Sequence, residues 1–165
     1  ISMFWESFPK MEGGTQSGRS NKNKQTATRH QCFGKKFNVL DGYGIKNLIR
    51  NGISVGLISS RDHPATRARA IELGIDNLML GKEDKLDAFI TWSNVAKVNP
   101  RNCGHMGDDY PDLELFDAVG FTASVPNAIE KVKEKADFVT KTTGGNGAAR
   151  EVADLILTVK GNRDS

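Results

Sequence analysis

From Phe37 onward, short apolar runs alternate with segments whose apolar residues recur at helical spacing. The apolar runs predict strands at residues 54–59, 78–80, 102–106, 121–123 and 138–139. Helical spacing predicts one helix that ends at Gly52 and further helices over residues 64–73, 83–95, 111–119, 128–135 and 148–159. Strands and helices that alternate every 20–25 residues or so, about the length of a βαβ unit, indicate parallel pairing. The predicted fold class is therefore α/β, a three-layer Rossmann-type architecture with helices on both faces of a parallel sheet.

The first 35 residues differ from the rest of the chain in composition. Residues 12–31 contain no apolar side chain larger than that of Ala27, so they cannot bury enough surface to offset the entropy of ordering. We therefore expect residues 1–35 to be a poorly ordered leader and residues 36–165 to form one α/β domain. The leader also carries the basic excess, because residues 1–36 hold seven Lys/Arg and two acidic residues while the whole chain has a net charge of +3.

Composition excludes several classes of protein. Hydrophobic residues make up 38% and charged residues 26%, as in ordinary globular chains, and no run approaches the ~18 apolar residues of a membrane helix. The opening residues Ile1–Trp5 lack the basic start of a signal peptide, and the two cysteines lie far apart. We expect a cytoplasmic protein with no membrane and no nucleic-acid partner. A nucleic-acid-associated protein that acts through the basic leader is the more distant alternative.

Polar residues follow three of the predicted strands. Ser59-Ser60-Arg61 follows the first strand, Lys85 lies near the start of the helix after the second, and Asp108-Asp109-Tyr110-Pro111-Asp112 follows the third. Ligands of parallel sheets bind at the carboxyl ends of the strands. A hydroxyl, a lysine and paired carboxylates can hold a phosphoryl group against Mg²⁺, because the cation takes carboxylate oxygens and the other groups donate to phosphoryl oxygens.

Each group also has an ordinary structural explanation. Ser59 and its neighbours can cap a loop, Lys85 can be a solvated lysine, and the acidic pair can cap the helix that Pro111 begins. Their order along the chain and their shared place at strand ends favour the phosphate site over these alternatives.

The same residues, in this order, resemble the later motifs of the haloacid-dehalogenase-like phosphatase superfamily. The resemblance narrows to the small, cap-less subfamily typified by 3-deoxy-D-manno-octulosonate 8-phosphate phosphatase, on Asp41-Gly-Tyr-Gly44, Gly107-Asp-Asp109 and Gly144-Gly-Asn-Gly-Ala-Ala-Arg-Glu151. It covers about Lys36 to Lys160. It implies a fold without a large cap domain, Mg²⁺ as cofactor, a phosphorylated keto-sugar acid as substrate and a homotetramer.

The resemblance also implies a role for each matching residue. Ser59 would bind a phosphoryl oxygen, and Lys85 would neutralise the phosphate and orient the nucleophile. Asp108 would be the Mg²⁺ ligand, and Asp109 and Asp112 would lie in the outer shell around it. The candidates for contacts with the sugar acid are Ser60, Arg61, Gly145 and Arg150.

One family motif is missing. The resemblance implies an Asp-x-Asp-Gly sequence near the N-terminus, whose first aspartate attacks phosphorus, but no aspartate precedes Asp41 in this chain. Two interpretations remain open. The first is an Mg²⁺-dependent phosphatase of this family that acts on a phosphorylated keto-sugar acid; for the chain as written, without that aspartate, we expect negligible hydrolysis. The second is a catalytically silent oligomerisation domain like the C-terminal domain of animal CMP-sialic acid synthetases, which is similar to the same subfamily. The retained Ser59, Lys85 and Asp108 favour the first.

Overall fold

The computed structural model describes residues 2–6 and 36–163 of the chain. Within them, six strands and six helices follow one another in the order β1, α1, β2, α2, β3, α3, β4, α4, β5, α5, β6, α6. Their bounds are β1 Ser2–Glu6, α1 Val39–Arg50, β2 Ser54–Ser59, α2 Pro64–Leu73, β3 Asn77–Leu80, α3 Lys85–Ala96, β4 Cys103–Met106, α4 Leu113–Ala118, β5 Phe121–Ser124, α5 Glu130–Lys135, β6 Phe138–Val139 and α6 Ala148–Arg163.

The α/β alternation predicted from residue 37 onward is confirmed. All five predicted strands are present, and Gly52 and Gly74 follow the first two helices with φ of 76° and 79°, the left-handed conformation that favours glycine. One prediction was wrong in detail. The helix expected over 111–119 begins as a turn of 3-10 helix at Tyr110–Asp112 and becomes α-helical only at Leu113.

The strands form one sheet in the order β3-β2-β1-β4-β5-β6. β2 pairs parallel to β3, β4 to β5 and β5 to β6, but β1 runs antiparallel to both of its neighbours. The predicted parallel sheet is confirmed for the five strands after residue 37, and a purely parallel sheet fails only at the additional central strand β1. The expectation of a poorly ordered leader over residues 1–35 also fails for Ser2–Glu6, while residues 7–35 lie outside the described part of the chain.

β1 fits its place because glycines in both neighbouring strands make room for its aromatic rings. Phe4 lies over Gly56 of β2, and Trp5 lies over Gly104 of β4, so closely that a Cβ atom on either glycine would overlap the ring. Both rings are buried. The apolar run Met3-Phe4-Trp5 thus enters the core because burial of large side chains outweighs the entropy of ordering a short segment.

Each face of the sheet carries its own core. On one face, Met3 and Trp5 of β1 pack with residues of α1, α2 and α6, among them Leu48, Ala70 and Val152. On the other face, Phe4 and Ile58 pack with α3 and α4 in a cluster that includes Phe89, Cys103 and Leu115. The alternation of side chains along β1 therefore supplies both cores and completes the three layers.

Within residues 2–6 and 36–163, no helix is both long enough and apolar enough to cross a bilayer.

Candidate active site

The first group of the predicted site lies where β2 ends. Ser59 is the last residue of β2 and is buried, and its Oγ accepts a hydrogen bond from the amide of Arg61 at 3.2 Å. The Ser59 carbonyl accepts from the amide of Lys82 at 3.0 Å, which ties the loop after β2 to the loop after β3. The hydroxyl is thus fixed at the carboxyl edge of the sheet, with the exposed Ser60 and Arg61 directly after it.

The second group begins helix α3. Asp84 caps this helix by accepting from the amide of Asp87 at 2.8 Å, and Lys85 is its first residue. The Lys85 side chain is only 7% exposed, and its Nζ lies 2.9 Å from Oδ1 of Asp112 and 2.8 Å from Oγ of Ser2. The alternative of a solvated lysine is therefore wrong, because the ammonium is buried and paired.

The fully buried carboxylate of Asp112 lies at the centre of the hydrogen-bond network of the site. Its Oδ1 accepts from the hydroxyl of Ser2, from the ammonium of Lys85 and from Nε2 of His105 at 3.1 Å. Its Oδ2 accepts from the backbone amides of Asp108 at 3.0 Å and of Asp109 at 3.2 Å. One side chain thereby connects β1, α3 and β4 with the loop that carries the candidate metal ligand.

The protonation states follow from these contacts. Burial opposes a charge on Asp112, but the hydrogen bonds from His105, Ser2 and Lys85 outweigh it and hold the pKa of this carboxyl below its ordinary range. Burial lowers the pKa of His105, and the hydrogen bond to Asp112 offsets this only in part. Asp112 is therefore an anion that accepts five hydrogen bonds, and His105 is a neutral imidazole that donates from Nε2.

Asp108 follows β4 with its carboxylate exposed to solvent. Together with Gly145 and the apolar side chains of Met3 and Met106 it lines a cavity of about 280 Å³. Asp109, by contrast, turns to the backbone, where its carboxylate accepts from the amide of Tyr110 at 2.8 Å. Asp109 and Asp112 form a reciprocal capping box around the 3-10 turn. Asp109 and Asp112 therefore cap this turn, as the structural alternative proposed. Of the three aspartates, Asp108 is the one whose carboxylate is exposed and makes no such bond.

The predicted substrate-binding residues are only partly brought together. Gly145 joins Asp108 at the cavity and has φ of 80°. Arg150 is directed elsewhere: its Nε donates to Asp154 at 2.8 Å, and its guanidinium lies 4.6 Å from the ring centroid of Tyr43. This places the Arg150 side chain between α1 and α6, on an ion pair and an aromatic ring, and not against the Asp108 carboxylate.

Sequence reasoning missed two residues of the polar cluster, Ser2 and His105. Ser2 stands at the start of β1, and because β1 is antiparallel, this end lies at the carboxyl edge of β2 and β4. The β-prone run Met3-Phe4-Trp5 was the available signal for that strand. His105 lies in the predicted third strand, two residues before Gly107. The sequence alone does not show on which face of the sheet the His105 side chain lies.

Comparison with known proteins identifies the arrangement. Residues 77–152 match the family model of the haloacid dehalogenase-like hydrolases. The chain is 38% identical over 130 residues to 3-deoxy-D-manno-octulosonate 8-phosphate phosphatase of Escherichia coli K12, covering 79% of this chain and 69% of that protein. The chain belongs to the 3-deoxy-D-manno-octulosonate 8-phosphate phosphatase family. The predicted family is thereby confirmed, and by family the chain is a phosphomonoester hydrolase of the haloacid-dehalogenase-like type.

Solved structures of this phosphatase family support the assignment. The Moraxella catarrhalis 3-deoxy-D-manno-octulosonate 8-phosphate phosphatase, in complex with a magnesium ion, a phosphate ion and a KDO molecule, superposes with a TM-score of 0.76 at 40% identity and covers 79% of this chain and 75% of its own. The cobalt-bound Haemophilus influenzae enzyme gives a TM-score of 0.73 at 41% identity, covering 76% and 73%. Neither relative is a synthetase domain, so these comparisons give no support to the silent-domain alternative.

Proposed function

We propose that this chain binds the phosphoryl group of a phosphorylated keto-sugar acid at the edge formed by Ser59, Lys85 and Asp108. The observation that carries the proposal is the Asp112 carboxylate, which holds the Lys85 ammonium on one oxygen and the Asp108 amide on the other. The lysine and the open carboxylate are thereby kept in one arrangement, at the end of the sheet where parallel strands present ligand sites.

Mg²⁺ fits this edge through Asp108. Its exposed carboxylate supplies the hard oxygen donor that Mg²⁺ requires, and the ion keeps several waters when protein ligands are few. Within the described residues, no group of three or more His, Cys, Asp or Glu side chains is placed to hold a metal. We therefore expect millimolar affinity, roughly −4 kcal/mol. When bound, Mg²⁺ would neutralise negative charge on the phosphoryl oxygens.

The remaining contacts come from this chain's own donors. Lys85 has three ammonium protons, and Asp112 and Ser2 engage two of them, which leaves one for a phosphoryl oxygen. The hydroxyl of Ser59 is the second donor. Gly145 lines the same cavity as Asp108, and Ser60 and Arg61 follow Ser59 on its loop, so these three residues are the proposed contacts for the sugar acid.

Turnover depends on a nucleophile that residues 1–40 do not supply, because they contain no aspartate. The strand at the centre of the sheet presents the Ser2 hydroxyl at the site edge instead. Loss of a covalent nucleophile removes the pathway that depends on it. We expect negligible release of phosphate from a keto-sugar-acid phosphate at saturating Mg²⁺. Robust turnover that Asp108→Ala abolishes would show that a nucleophile exists elsewhere in the chain.

Binding can be tested apart from turnover. Inorganic phosphate, titrated at 20 mM Mg²⁺ and followed by calorimetry and amide shifts, should bind the wild type and perturb Gly107–Asp112. Ser59→Ala and Asp108→Asn should each weaken binding, by about tenfold for the loss of one donor or ligand. Asp76→Asn is the control, because this exposed aspartate precedes β3 at the opposite edge of the sheet. Equal binding by all four proteins would contradict the proposed site.

The proposal extends to the state of the protein. In keeping with the family resemblance, we propose a cytoplasmic homotetramer that binds neither membrane nor nucleic acid. Sedimentation of the full chain should give the mass of four 18.0 kDa subunits, independent of added DNA or anionic vesicles. A monomer, or a shift on adding DNA, would contradict it.

A further inference from the structure

We propose that His105 is a positioning residue, which holds the Asp112 carboxylate so that it fixes both Lys85 and the loop of Asp108. His105 lies in β4, the strand from which this loop departs, and its ring is fully buried in T-shaped contact with Phe116 at 6.0 Å between centroids. Its Nε2 is 3.1 Å from Oδ1 of Asp112.

The ring uses only one of its two nitrogens. Within the described residues, Nδ1 of His105 is the buried side-chain polar atom that has no hydrogen-bond partner. A buried acceptor without a partner is unfavourable, so a phenyl ring would fill this space at less cost. The imidazole therefore contributes something that packing against Phe116 does not, and its single polar contact is with Asp112.

The hydrogen bond from His105 to Oδ1 of Asp112 comes from a different element than the bonds from Ser2 and Lys85. Ser2 and Lys85 reach Asp112 from β1 and α3, whereas His105 belongs to the strand that leads directly into Gly107 and Asp108. Gly107 presses on Asp112 so closely that a Cβ atom there would overlap the carboxyl carbon. Gly107 and His105 thus both contact this carboxylate, whose Oδ2 accepts from the amides of Asp108 and Asp109.

Without the imidazole donor, only Ser2 and Lys85 hold Oδ1. The carboxylate can then turn toward the lysine, and Oδ2 leaves the two amides that shape the loop. Loss of a group that orients a metal ligand typically lowers metal affinity by about 10–100-fold, and because His105 acts on Asp108 through Asp112, we expect the lower end of that range. The inference depends on the proposed function only where Mg²⁺ is concerned, since the hydrogen bonds to the loop exist without metal.

The test compares His105→Phe with His105→Gln in the full ¹⁵N-labelled chain. The phenyl ring keeps the contact with Phe116 but donates nothing, whereas the glutamine amide can place a donor near the position of Nε2. In metal-free protein, His105→Phe should shift the Asp108 and Asp109 amides and speed their hydrogen exchange by about tenfold, the loss of one hydrogen bond of roughly 1.4 kcal/mol. His105→Gln should restore both. His63→Phe, at the cap of α2, is the matched control and should leave them unchanged.

A Mg²⁺ titration of the same proteins completes the experiment. The midpoint should rise about tenfold in His105→Phe and stay within about twofold of wild type in His105→Gln. Unchanged exchange and midpoint in His105→Phe, or failure of glutamine to restore them, would overturn the inference. Should His105→Phe not fold, His105→Asn replaces it, because its shorter amide cannot reach Asp112. A wild type that ignores Mg²⁺ would contradict the proposed function, while the metal-free exchange would still decide the role of His105.

Discussion

At the scale of single residues, a buried carboxylate dominates the site. Asp112 gathers Ser2, Lys85 and His105 on one oxygen and two loop amides on the other. Burying such a charge away from water costs free energy. Removing it leaves its partners buried without a counter-charge, which is less favourable than exposing them to solvent. The polar cluster is therefore as much a structural element as a chemical one.

Substitution of Asp112 by asparagine should destabilise the fold severely. The change leaves the buried Lys85 ammonium without a counter-charge, which costs about 3–5 kcal/mol. Asp117→Asn is the matched control, because it removes an exposed pair with Lys135 that contributes at most about 1 kcal/mol. Urea unfolding at pH 7.5 measures both. Equal losses in the two variants would mean that the buried pair contributes no more than the surface pair.

The buried imidazole should make stability depend on pH in the mildly acidic range. Burial lowers the pKa of His105 in the folded chain, whereas the unfolded chain takes up the proton near the ordinary pKa of about 6.5. Below that pH the unfolded state binds more protons, so the free energy of unfolding falls, by at most about 1.4 kcal/mol per pH unit.

The carboxylate that contacts His105 does not produce this effect. The pKa of Asp112 is held below its ordinary range, so its contribution to stability changes only at more acidic pH. Urea unfolding of wild type between pH 7.5 and 5.5 should therefore show a slope that His105→Gln reduces. Identical slopes in both proteins would assign the pH dependence to other groups.

At the scale of elements, the notable feature is the fit between β1 and its two neighbours. Gly56 and Gly104 leave the space that Phe4 and Trp5 occupy, one ring on each face of the sheet. Interiors are packed as densely as organic crystals, so the glycines and the rings specify one another.

Gly56→Ala and Gly104→Ala should each destabilise the protein, because the added methyl group overlaps an aromatic ring. Overpacking of this kind costs about 1–3 kcal/mol. Gly161→Ala is the control: it lies in α6, where an added Cβ meets nothing within 4 Å, and should be neutral or stabilising by up to about 1 kcal/mol. Combining Gly56→Ala with Phe4→Leu should recover part of the loss. Additive losses in the double variant would argue against a direct overlap between the two side chains.

At the scale of the whole molecule, β1 joins the two halves of the sheet. β2 and β3 lie on one side of it and β4, β5 and β6 on the other. Among the strands that the structure describes, β1 provides the backbone pairing between these two groups. Without β1, β2 and β4 would present unpaired edges in the middle of the sheet, a feature that invites association.

A variant that lacks residues 1–6 should therefore lose its cooperative thermal transition and associate. A second variant that lacks residues 14–29 should unfold cooperatively, since that stretch contains no large apolar side chain. Circular dichroism melts and sedimentation distinguish the two. A cooperative, non-associating variant without residues 1–6 would show that the sheet does not need its central strand.

The sequence by itself determined the α/β alternation, the five strands after residue 37 and the family. Apolar periodicity, glycine caps and local motifs depend on residues close together in sequence, so they can be identified without the tertiary structure. The same local information placed Ser59, Lys85 and Asp108 after strands and at a helix start. Only the tertiary structure decided that Ser2–Glu6 forms the central, antiparallel strand, and that Asp112 links Ser2, Lys85 and His105. The apolar run Met3-Phe4-Trp5 is only three residues long and has no pairing partner in its own neighbourhood. Its direction and its contacts depend on Gly56 and Gly104, some 50 and 100 residues away, and on the packing density that long-range burial imposes.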